Sequence, residues 1–132
     1  MILVDTNILV DIVTSDPLWS ARSKSALQNH AASGSVLFID VVYAELAAGF
    51  ANEEDCSDFV ERLGLLHSAM SRHALWRAGR AFRVYRTRGG ARTNVLPDFF
   101  IGAQAAALGI PLLTRHAGRY ATYFPEVALI TP

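Results

Sequence analysis

Three carboxylates in this chain stand alone in apolar surroundings. Asp5 follows Ile2, Leu3 and Val4 and precedes, after Thr6 and Asn7, the run Ile8, Leu9 and Val10. Glu45 is the one charged residue in 41–50, and Asp98 opens onto FFIGAQAAAL, ten residues without a charge. An ionised carboxylate in such a setting is costly unless it lies at a strand end, is paired or binds a cation. Each also has a plainer role open to it: Asp5 as a helix cap with Thr6 and Asn7, Glu45 on a solvent-facing stripe, Asp98 as a first-turn acid favoured by the helix dipole. Brought together, the three would repel, and a hard divalent cation with oxygen ligands is the usual relief. The set therefore predicts Mg²⁺ or Mn²⁺ and hydrolysis of a phosphodiester. The cation would acidify a water and stabilise transition-state charge, and a carboxylate would orient the attack. The acids Glu53, Glu54, Asp55, Asp58 and Glu61 sit at helical spacing and read as a solvated face, with Asp58 and Arg62 spaced to pair. No Ser/His/Asp or Cys/His arrangement competes, and the lack of DxDxT or of an adjacent acidic pair after the first strand disfavours a phosphate-handling or receiver domain.

The elements that must position these residues alternate. Short apolar runs at 2–5, 36–39, 63–66, 112–114 and 127–130 read as buried strands. Helical patterns lie between them at 7–13, 18–30, 41–50, 54–62, 72–85, 98–108 and 118–123. Asp40 has an N-cap residue type, Pro97 marks a helix start, and Gly109 suits a left-handed C-cap. On 72–85 the pattern puts Leu75, Gly79 and Phe82 on one face and Arg77, Arg80 and Arg83 on the other. TRGGARTNV, 87–95, reads as an exposed loop. The expectation is an α/β fold in a single domain, 1–132, with a mostly parallel central sheet of four to five strands and helices on both faces.

With 132 residues, the chain has the size of one domain, and 52% hydrophobic residues with a mean hydropathy of +0.25 exclude disorder. Such a chain buries roughly two thirds of its unfolded surface, so it folds without disulfides. Cys56 is the only cysteine, no signal peptide precedes Asp5, and the longest apolar stretch is too short to span a bilayer. These features predict a soluble cytoplasmic protein with no membrane partner. Twelve basic and twelve acidic residues cancel, but unevenly along the chain. Residues 1–61 carry two basic residues against ten acids, and 62–97 carry eight arginines and no acid. Such asymmetry points to an electrostatic partner surface, or to pairing of the two faces within the fold. Arg88 and Arg92, beside Asp98 in sequence, are the arginines best placed to grip the phosphates of a partner, with Arg77 and Arg80 undecided. Trp76, Tyr85 and Tyr120 could stack on bases or serve as core.

The strand ending in Asp5-Thr6-Asn7, the Ala44-Glu45-Leu46 helix, Leu96-Pro97-Asp98 with Gly102-Ala103, and Leu113-Thr114-Arg115 together resemble a PIN domain, and in particular the VapC-type toxins of bacterial toxin–antitoxin pairs. The resemblance covers essentially the whole chain in order and spacing. It implies a metal-dependent endoribonuclease that leaves a 5′-phosphate and a 3′-hydroxyl, inhibits translation or growth, forms a homodimer and is neutralised by a cognate antitoxin. By position, Asp5, Glu45 and Asp98 are the implied catalytic, metal-holding acids. Thr6 and Asn7 are the implied supports of Asp5, and Thr114 orients carboxylates or water from behind. Arg88, Arg92 and Arg115 are the implied RNA contacts. The chain departs from the pattern at His116, where the family usually has Asp or Asn. A neutral imidazole there either ligates Mn²⁺ in preference to Mg²⁺ or faces solvent. The alternative function is a catalytically weakened PIN-like module that binds RNA or an antitoxin.

Overall fold

The computed structural model describes residues 1–91 and 95–132. Five short parallel strands form one sheet: β1 Ile2–Val4, β2 Val36–Phe38, β3 Leu65–His67, β4 Leu112–Leu113 and β5 Leu129–Ile130, in the order β3-β2-β1-β4-β5. Leu3 pairs with Leu37 on one side and Leu112 on the other. A parallel strand covered on both faces must be apolar at every position, and β1 reads Ile-Leu-Val with all three residues buried. The seven helices among the described residues are α1 Thr6–Val13, α2 Ser20–Ser33, α3 Asp40–Ala47, α4 Glu53–Arg62, α5 Arg72–Thr87, α6 Leu96–Leu108 and α7 Ala117–Tyr123.

From β1 the chain moves outward to β2 and β3, then returns across the sheet to β4 and β5. With right-handed crossovers, this reversal puts the helices before β3 and those after it on opposite faces. It also opens a crevice beyond the carboxyl ends of β1 and β4, the place where open α/β sheets bind ligands. Asp5 directly follows β1 and Thr114 directly follows β4, so the topology sets these two side by side.

The elements match the sequence expectations with shifts at their ends. Gly109 takes the left-handed conformation, φ 65°, and ends α6. Asp40 is a first-turn residue of α3 rather than its N-cap, which is Ile39, and its carboxylate pairs with His67. The buried stripe of α5 is displaced by about one residue from the expected one. Ala74 and Ala78 are fully buried, while Leu75 is exposed. The cause is the partner: α5 packs on α6, where Phe82 and Tyr85 meet Phe99, and Ala74 and Ala78 share that helix face with Phe82 and Tyr85. A Cβ on Gly102 would clash with the Phe124 ring, so α6 and the end of α7 meet without room for a methyl group. No helix among the described residues is long and apolar enough to cross a membrane.

Candidate active site

Asp5 is the N-cap of α1 by backbone, with φ −82° and ψ 153°, yet its side chain makes no capping bond. Its carboxylate is instead 4% exposed and turned toward the crevice partners. Thr114 Oγ1 donates to Asp5 Oδ2 at 2.7 Å, the Tyr120 hydroxyl at 2.9 Å and Asn7 Nδ2 at 3.2 Å. Three donors on one oxygen hold the carboxylate rigidly, and Oδ1 is left without a side-chain donor among the described residues. Burial pushes the Asp5 carboxyl above its ordinary value, the bonds from Thr114 and Tyr120 oppose this, and the charge of Asp98 adds to the rise. Tyr120 is buried as well. Its hydroxyl is driven far above the ordinary tyrosine value by burial and by the charges of Asp5, Asp98 and Glu45, so it remains a proton donor.

Glu45 lies on α3 and is exposed overall, but one carboxylate oxygen faces the crevice wall, where Thr6 Oγ1 donates to Oε1 at 2.8 Å. Partial desolvation raises its carboxyl, Thr6 lowers it, and the charges of Asp5 and Asp98 raise it again. The Thr6 hydroxyl thus supports Glu45, and Asn7 supports Asp5. Asn7 also ties the strand ends together, because its Oδ1 accepts the Arg115 backbone N–H at 3.1 Å. Asp98, in the first turn of α6, is half-buried and ion-paired with Arg119 of α7, whose guanidinium also lies over the Tyr85 ring at 5.5 Å. Asp5, Glu45 and Asp98 are therefore brought to one end of the sheet, close enough that the charge of Asp98 raises the carboxyls of both Asp5 and Glu45.

Among the described residues, no three His, Cys, Asp or Glu side chains surround a common point closely enough to hold a metal ion. Asp98 is turned to Arg119, and Glu45 to Thr6. The chemistry of the donor set nevertheless fits a hard cation: three carboxylates, no thiolate, and a buried Asp5 with one oxygen lacking a side-chain donor. His116 is the N-cap of α7. Its ring is exposed, without a hydrogen bond to any described residue, and its backbone N–H donates to Thr114 Oγ1 at 3.1 Å.

Sequence patterning passed over Asp11, although it too is a lone acid in an apolar run, ILVDIV. It is 1% exposed and engaged by the Arg115 guanidinium through two bonds, Nε to Oδ2 at 3.0 Å and Nη2 to Oδ1 at 2.9 Å, with Ser23 Oγ at 2.8 Å. Arg115 is further packed over Trp19 at 5.1 Å. Its charge is committed to α1, in contrast to its assignment to RNA. Arg88 is exposed and lies over Tyr123 at 5.6 Å, whereas Arg92 lies outside the described residues. Tyr120 proves to be core with a polar tip on Asp5, which removes it as a base-stacking surface.

The PIN domain family model matches residues 2–122, a span that includes every residue of this site. The chain belongs to the PIN-domain family. Solved PIN-domain neighbours agree with the fold. VapBC2 from Rickettsia felis bound to a promoter DNA fragment superposes with a TM-score of 0.75 at 20% identity, covering 99% of this chain and 98% of that one. A toxin–antitoxin complex from Klebsiella pneumoniae gives 0.73 at 22% identity, over 100% and 98%. VapBC-1 from nontypeable Haemophilus influenzae gives 0.74 at 18%, over 99% and 98%. No curated protein matches the sequence. PIN domains as a class are nucleases that use divalent metal ions.

Proposed function

We propose that this PIN domain is an endoribonuclease of the VapC toxin type, dependent on Mg²⁺ or Mn²⁺, acting in the cytoplasm as a homodimer and neutralised by a cognate antitoxin. The observation that carries the reading is the buried Asp5 carboxylate at the topological switch point, fixed through one oxygen by Thr114, Tyr120 and Asn7 and facing the charges of Glu45 and Asp98. The toxin–antitoxin complexes among the structural neighbours support the antitoxin partner.

In this reading Asp5, Glu45 and Asp98 hold the cation. When bound, it supplies positive charge at the scissile phosphate and a more acidic water for in-line attack. Thr114 and Tyr120 keep Asp5 from rotating, Thr6 does the same for Glu45, and Arg119 holds Asp98 by an ion pair that would have to open for Asp98 to hold a cation. A guanidinium freed in this way would be available to a phosphate and could stabilise its transition-state charge. Arg88 and Arg92 hold flanking phosphates.

One observation favours the second reading, a weakened module that binds RNA or an antitoxin without efficient cleavage. Arg119 already neutralises Asp98, and the exposed His116 adds no acid. The test is cleavage of RNA by purified protein with Mn²⁺, with Asp98→Asn as control. Metal-dependent products with 5′-phosphates that vanish in the variant support the nuclease. Equal cleavage by Asp98→Asn refutes the assignment, and binding without cleavage selects the second reading. Gain of activity in His116→Asp would place position 116 in the site.

A further inference from the structure

The arginines of α5 have no acidic partner on α4. Among the described residues, Arg77 is the only one of them in an ion pair, and its partner is Glu126. Trp76, Arg80, Val84 and Arg88 recur every fourth residue and line one open groove of about 560 Å³, closed on its other side by Tyr123 of α7. This stripe spans about 18 Å along the helix, the length of roughly five stacked nucleotides. Trp76 is 63% exposed, an unusual state for the largest apolar side chain. Its ring carries the Arg80 guanidinium at 5.4 Å, and the Tyr123 ring carries that of Arg88 at 5.6 Å.

The groove is joined to the carboxylates by an unbroken ladder of rings and guanidiniums. Arg88 lies over Tyr123, Tyr123 meets Tyr85 edge to face at 5.9 Å, Arg119 lies over Tyr85 at 5.5 Å, and Arg119 reaches Asp98. In the groove the rings of Trp76 and Tyr123 alternate with Arg80 and Arg88, which have no acidic partner among the described residues, as bases alternate with phosphates along a strand. A duplex hides its base faces, so only an unstacked strand can use the rings.

We propose that the groove between α5 and α7 is the track along which a single RNA strand enters the site, its bases on Trp76 and Tyr123 and its phosphates on Arg80 and Arg88. This rests on the nuclease reading and names the form of its substrate. Charge decides against the rival occupant, a second copy of this chain, because two such faces would set Arg80 and Arg88 against their own copies.

The experiment is fluorescence anisotropy of a labelled twelve-nucleotide oligouridylate with full-length Asp98→Asn protein in EDTA, so that binding is read without cleavage. Trp76→Ala should weaken binding by about 5- to 100-fold, the loss of one stacked base. Trp76→Phe should retain most of the affinity. Arg80→Gln with Arg88→Gln should lower the slope of log K against log salt by about 1.4, two single-strand phosphate contacts. Arg22→Gln and Arg62→Gln, outside the groove, should change neither. Duplex RNA should bind more weakly and be insensitive to Trp76→Ala. The proposal is overturned if the groove variants bind like the parent while wild-type protein cleaves RNA, an outcome that leaves the nuclease reading intact. It is also overturned if Trp76→Ala splits a dimer into monomers with RNA affinity unchanged. Absence of both RNA binding and cleavage overturns the nuclease reading and this inference with it.

Discussion

Arg119 occupies the position in which a cation would have to draw on Asp98, and the consequence can be given a size. Both side chains of the pair are about one third exposed, 32% for Arg119 and 33% for Asp98. Two unit charges in contact near a protein surface attract by about 4 kcal/mol at 4 Å. Solvent screening and the cost of ordering two side chains reduce such half-exposed pairs to about 1 kcal/mol net. A divalent ion must break that pair before Asp98 can serve it. Arg119→Gln removes the competitor, so Mn²⁺ should bind about fivefold more tightly. Arg119→Lys keeps the charge and should stay near wild type. The assay is titration of EDTA-stripped protein with Mn²⁺ at neutral pH and physiological salt, without RNA, reading free Mn²⁺ by electron paramagnetic resonance. Affinity that is unchanged or weaker in Arg119→Gln would refute the idea that this guanidinium holds the metal's place.

Other consequences follow from the same geometry. Asp11→Ala leaves the partly buried Arg115 guanidinium without its two bonds and should cost about 3 kcal/mol. Thermal denaturation should show a Tm lower by roughly 10 °C. Tyr120→Phe removes the hydroxyl from Asp5 Oδ2, a bond to a charged group worth about 1.5–3 kcal/mol, so the acid limb of the cleavage pH profile should move to higher pH. An unmoved limb would separate Tyr120 from the chemistry. Asp5 and Glu45 both have carboxyls raised in the folded protein above their ordinary 3.8 and 4.5. Their contribution to stability is therefore full below those values and is lost as pH rises through the raised ones. Metal-free protein should give up this increment between acid and neutral pH, and millimolar Mg²⁺ at pH 7 should restore it in wild type but not in Asp5→Asn, as followed by denaturation in EDTA and in Mg²⁺.

The strand and helix order was legible in the sequence because β1, β2 and β4 are buried throughout and must be apolar at every position, whereas the edge strands β3 and β5 are partly exposed. The three acids that converge at the sheet end, Asp5, Glu45 and Asp98, stood out for the same reason, since a lone charge among apolar residues needs an explanation. That rule is incomplete, and Asp11 shows why. It satisfies the rule as well as Asp5 does, but its compensation comes from Arg115, 104 positions away, which no local pattern reveals. The role of Tyr120 was hidden similarly, because whether an aromatic is core, stacking surface or proton donor depends on what lies opposite it. The face of α5 was misplaced by one residue because alanine carries little hydrophobic signal, although Ala74 and Ala78 are its fully buried residues. Local chemistry thus marked the residues needing partners, and the parallel topology decided which partners they received.

The central claim is that Asp5, with Glu45 and Asp98, forms a metal-dependent nuclease centre at the switch point. Its most direct test is the single-turnover cleavage rate of end-labelled single-stranded RNA as a function of Mn²⁺ concentration, for wild type and Asp5→Asn. Wild type should not cleave in EDTA and should show a saturable rise with half-saturation at the Mn²⁺ dissociation constant measured without RNA, and the variant should show no rise. Cleavage that persists in EDTA, or that Asp5→Asn performs at the wild-type rate, would contradict it.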